Sequence, residues 1–136
     1  MKIKNLIVAI IGLIIIPSCN KEGTGGNASI TGIVYEELVA QNGNSIETRI
    51  AQDKKVFIKY GDNDTPSDDT ETLVDGTYEF NYLTKGKYTI YTYSDCSNCA
   101  TENEIKEQII HIESRNDKIT QDINTIKIVG PEDVNS

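Results

Sequence analysis

The chain is predicted to be all-β, a single antiparallel β-sandwich of six or seven strands. Three observations predict it: apolar residues recur with period two rather than 3.6, turn-forming clusters fall every 8 to 15 residues, and no segment supports a helix. Without a helical crossover, a parallel sheet is not expected.

Ser29 to Tyr35 is the first expected strand, with Ile30 and Val34 on one face around Gly32. A polar loop through Asn42-Gly43 follows. Lys55 to Tyr60 alternates Val56, Ile58 and Tyr60 with Phe57 and Lys59 and stops at Gly61. Asp62 to Asp69 is too polar to bury and is expected as a surface loop, with Thr70 to Val74 as a short edge strand before Asp75-Gly76.

Thr77 to Leu83 and Lys87 to Tyr93 carry the clearest alternation, placing Tyr78, Phe80, Tyr88 and Ile90 in the core. Ile105 to Ile112 and Ile119 to Ile128 complete the set, separated by a polar turn at Ser114 to Asp117.

The N-terminus specifies export. Lys2 and Lys4 precede an apolar run from Leu6 to Ile16, too short to span a bilayer, which needs about 20 residues. Pro17 ends any helix there and leaves an extended segment for a peptidase. Ile16-Pro17-Ser18-Cys19 resembles the lipobox of bacterial lipoproteins, with Pro17 a departure at a slot that more often holds a small or aliphatic residue. That resemblance implies cleavage before Cys19 and lipid on its thiol.

The expected organisation is therefore a signal peptide over 1–18, a lipidated cysteine with a flexible tether over 19–27, a sandwich over 28–129 and an acidic tail over 130–136. Gly23, Gly25 and Gly26 give the tether its flexible character. No aspartate follows Cys19 directly, which favours the outer membrane over inner-membrane retention.

Removing the signal deletes two of the 13 basic residues and none of the 21 acidic ones, so the mature charge is 11 − 21 = −10. That sign argues against nucleic acid and against anionic lipid headgroups as partners, since both attract clustered Lys and Arg. A protein or glycan partner, and the membrane through the lipid, remain the expected associations.

Asp75-Gly76-Thr77-Tyr78-Glu79-Phe80-Asn81-Tyr82-Leu83, with Lys85-Gly86-Lys87-Tyr88-Thr89-Ile90 after it, resembles the core motif of carboxypeptidase regulatory-like domains. Ser29 to Val34 and Lys55 to Gly61 resemble their opening strands. These are prealbumin-like β-sandwiches, related in shape to transthyretin and to Cna B-type repeats, and the resemblance implies that fold for this chain. The resemblance implies a spacer, platform or binding unit without catalytic machinery of its own. It does not extend to the internal isopeptide bond of some Cna B-type relatives, because Ser29 to Tyr35 offers no lysine and Tyr88 to Tyr93 no glutamate.

Four groups are candidates for chemistry. Cys96 and Cys99, left after Cys19 takes lipid, are expected to form a local disulfide in an oxidising compartment, the alternatives being a redox pair or part of a zinc site. Asp62, Asp64, Asp68, Asp69 and Glu71 are dense enough in hard oxygens for calcium, although a solvated acidic loop is the plainer expectation. Tyr91 and Tyr93 are expected on an outer sheet face beside Phe57, where aromatics pack across strands or meet a sugar or protein. His111, near Glu107 and Glu113, is the only histidine, with no nucleophile placed to use it. No catalytic set and no cofactor follow, and the chain is expected to be a non-catalytic envelope module, with calcium or carbohydrate binding and thiol-disulfide exchange as alternatives.

Overall fold

A computed structural model describes residues 21–95 and 105–129. Among them there is no helix, and nine strands form two sheets packed face to face. In chain order these are β1 (Thr24–Ala40), β2 (Ser45–Ile50), β3 (Lys55–Tyr60), β4 (Asp68–Glu71), β5 (Thr77–Leu83), β6 (Gly86–Tyr93), β7 (Ile105–Ile112), β8 (Lys118–Thr120) and β9 (Ile123–Val129).

β1 is the spine of a five-stranded sheet. Its first half pairs with β5 and its second with β2, both antiparallel. Val34 bonds to both partners along one edge, through its N–H to the Gly76 carbonyl and through its carbonyl to the Ala51 N–H. Along the other edge β8 and then β9 run parallel to β1. The second sheet has the order β4-β3-β6-β7 and is antiparallel throughout.

The parallel pairs correct the expectation of a wholly antiparallel sandwich. A crossover is required between parallel neighbours, but it need not be a helix. β1 and the β8–β9 pair are the first and last elements, and the six strands between them make the crossing.

The core alternates as expected. Tyr78, Phe80, Tyr88 and Ile90 are all buried, with Ile30, Val34 and Ile123 on one sheet and Val56, Ile58, Ile110 and Ile112 on the other. Burying such side chains contributes roughly 1.5–3 kcal/mol each before entropy is counted. On β5 alternation breaks at Tyr82, which lies at φ 59° and is exposed. Pairing with β1 shifts at that point, and the extra residue turns Leu83 back into the core.

The expected flexible tether is also corrected. Gly23 to Asn27 are part of the fold. The Gly23 carbonyl accepts from the Thr84 N–H at 2.8 Å, and the Lys21 carbonyl accepts from the Thr84 hydroxyl at 2.9 Å. A Cβ on Gly26 would collide with the backbone of Leu83, so this glycine serves close approach rather than flexibility.

Candidate functional site

Alternation on β3, β6 and β7 sends Phe57, Lys59, Tyr91, Tyr93, Ile105, Glu107 and Ile109 to the outer face of the four-stranded sheet. Phe57 and Tyr91 are direct cross-strand partners, and their rings stack at 5.1 Å between centroids with 18° between planes. Tyr93 meets both edge-on, at 5.8 Å from Phe57 and 5.9 Å from Tyr91. The three aromatics expected to share a face therefore form one cluster.

Charge closes over part of it. The Lys59 ammonium stands 5.0 Å from the Tyr91 ring centroid and reaches Glu107 at 3.2 Å. Tyr91 is left only 5% exposed. Burial, then the neighbouring Tyr93 and Glu107, push its phenol above the usual tyrosine range.

Beside the cluster the surface is apolar and open. Tyr93 is 36% exposed, its cross-strand partner Ile105 47% and Ile109 61%. The two isoleucines were not anticipated as surface residues, although the doublet Ile109-Ile110 carries the signal: on a strand only one of the two can face the core.

Sugar recognition by aromatic side chains uses an open ring face. Here the faces of Phe57 and Tyr91 are turned to each other and Lys59 stands over the Tyr91 ring, leaving Tyr93 and the aliphatic flank to solvent. The arrangement suits an apolar surface with a polar rim, as at the centre of protein interfaces.

The other candidates fare differently. Asp62, Asp64, Asp68, Asp69 and Glu71 do not assemble, because β4 takes up Asp68 to Glu71 as an edge strand and sends alternate side chains to opposite faces. Asp62 pairs with Lys87 at 2.9 Å and Asp69 with Lys55 at 3.4 Å. Among the described residues no group of three or more His, Cys, Asp or Glu is arranged to hold a metal ion. His111 is exposed opposite Lys87, while Glu107 is taken by Lys59. Cys19, Cys96 and Cys99 lie outside the described residues, as do the signal peptide and the 130–136 tail.

A cleft of about 460 Å³ opens beside the β2–β3 turn, and its charges are largely paired: Arg49 with the buried Glu36 at 2.7 Å, Lys54 with Asp95 at 3.3 Å. A second, of about 290 Å³, lies at the other end of the sandwich, between Gly25, Gly26, Thr84, Lys85 and Arg115.

The fold and its surfaces define an all-β sandwich with an apolar outer face. No known family and no curated protein matches the chain. Among solved structures it is similar to a candidate carbohydrate binding protein from Pseudomonas aeruginosa, at 14% identity over 77% of this chain and 91% of that one, with a TM-score of 0.47.

Proposed function

We propose that this protein is a lipid-tethered, non-catalytic binding module of the cell envelope, attached through Cys19, which holds a protein partner on the outer face of its four-stranded sheet. The observation that carries the binding surface is the exposed apolar group Tyr93, Ile105 and Ile109, backed by the Phe57–Tyr91 stack. Large side chains set on a rigid sheet lose little entropy when a partner covers them. Attachment rests on the lipobox and the short apolar run before it. The resemblance of Asp75 to Ile90 to carboxypeptidase regulatory-like domains supports an accessory role, and the occupied neighbours of His111 give no support to acid-base work.

Carbohydrate binding is a second reading, favoured by the solvent-exposed part of Tyr93. It predicts that glycans perturb the tyrosine fluorescence of the purified chain, and a flat titration sinks it.

A photo-crosslinking residue at position 109 tests the leading reading in intact cells, with position 47 on the exposed β2 as the comparison. The expected result is a discrete protein adduct from 109, absent from 47 and lost with Tyr93→Ala. Identical adducts from both positions, or none from 109, would overturn it.

A further inference from the structure

We propose that the end of the sandwich where β1 begins rests on the bilayer, and that the cleft between Gly25, Gly26, Thr84, Lys85 and Arg115 takes the phosphate of an anionic phospholipid headgroup. This rests on the lipid attachment at Cys19 proposed above.

The first support is reach. Lys21 is fixed to the sandwich through the Thr84 hydroxyl, and Gly23 through the Thr84 N–H and the Tyr88 hydroxyl. Only Asn20 separates Cys19 from Lys21, and two Cα-to-Cα steps span at most about 7 Å in any conformation. A lipid on Cys19 therefore brings this end to the headgroup layer, leaving no slack to hold the fold off the membrane.

The second support is how the cleft is built. The start of β1 bridges two loops that each bring a cation: Thr84 is bonded to Gly23, and the Arg115 carbonyl accepts from the Asn27 N–H at 3.2 Å. Lys85 and Arg115 form no ion pair with any described residue; of the acids at this end, Glu22 lies over Gly86, Asp62 is taken by Lys87 and Asp117 caps the Glu113–Ser114 turn. Gly25, at φ 116°, places no side chain in the opening, and a Cβ there would meet nothing within 4 Å. Two cations unpaired among the described residues, beside a stretch of backbone bare of side chains, suit a phosphate.

The third support is Tyr82. It is 71% exposed at this same end and held at φ 59°, a left-handed conformation that bulky residues rarely adopt. A tyrosine at a bilayer surface sits with its ring among the headgroups and its hydroxyl in water. Net charge argued against anionic lipid, but net charge averages over the molecule. Contact at a bilayer is set by charges within a Debye length, about 8–10 Å.

Lysine acylation of the full lipidated protein, read by mass spectrometry, tests this in vesicles of phosphatidylcholine with and without phosphatidylglycerol. Lys85 is expected to react about fivefold more slowly when phosphatidylglycerol is present, while Lys55 at the far end is unchanged. Arg115→Glu should restore Lys85 reactivity. Equal Lys85 rates in the two vesicles would overturn the proposal. So would equal protection by free glycerol phosphate over phosphatidylcholine alone, which would mark a soluble-phosphate site. The same spectra report the mass of Cys19. A bare Cys19 removes the attachment and this inference together, whereas a lipidated Cys19 with unprotected Lys85 removes this inference alone.

Discussion

The Tyr88 hydroxyl accepts a hydrogen bond from the Gly23 N–H at 2.9 Å, tying the backbone just before β1 to the middle of the second sheet. The same hydroxyl lies 2.8 Å from the Thr84 carbonyl, so one buried oxygen joins β1, the β5–β6 turn and the core. Tyr88→Phe should keep the ring packing and strip this junction. The expected loss is about 1–3 kcal/mol, since a buried N–H is left without a partner. Denaturant unfolding measures that loss, and faster hydrogen exchange at Gly23 would locate it.

Gly32 is pressed against the linker between β8 and β9. An added Cβ would collide with the Gln121 carbonyl and crowd the Tyr78 ring. Gly32→Ala should therefore push the parallel edge of the sheet away from β1 and cost about 3 kcal/mol. A thermal midpoint equal to that of the unchanged protein would show that the edge yields freely.

The Tyr78 hydroxyl donates to the Gln121 carbonyl from a buried position. Burial, then the nearby Asp122 carboxylate, push its phenol well above the ordinary value. A raised folded value means that the fold favours the neutral phenol. This contribution is complete below the unfolded value of about 10 and is lost as pH rises beyond it. Stability should thus hold steady through neutral pH and fall above about pH 10. Tyr78→Phe should cost about 1 kcal/mol at neutral pH and flatten the alkaline fall, as chemical denaturation across pH would show.

Ile109 is 61% exposed and is not a member of the buried core cluster. Ile109→Glu should change stability by no more than about 0.5 kcal/mol. It should abolish partner capture on the outer face, separating binding from folding. A variant that unfolds instead would make Ile109 part of the core.

Much of this molecule was legible in the sequence because alternation is a local signal. The bounds of β3, β5 and β7 match their apolar patterns, and period two puts Phe57, Tyr91 and Tyr93 on outward positions that the β3–β6 pairing then brings together. β2 was not legible: Ser45 to Ile50 is exposed throughout, and its pairing with β1 is held by backbone bonds that leave no apolar pattern. The parallel placement of β8 and β9 is a long-range choice invisible to local pattern. Gly23 to Gly26 misled for a physical reason, since glycine serves a flexible linker and a close backbone approach equally well. The basic cleft was hidden because Lys85 and Arg115 are thirty residues apart and meet only through β1.

Attachment at Cys19 underlies both the envelope role and the membrane contact of the β1 end, and the mass of the N-terminal peptide from the mature, membrane-extracted protein tests it most directly. A peptide beginning at Cys19 and carrying a diacylglyceryl group is the predicted result. A peptide beginning elsewhere, or a Cys19 without lipid, would contradict the account.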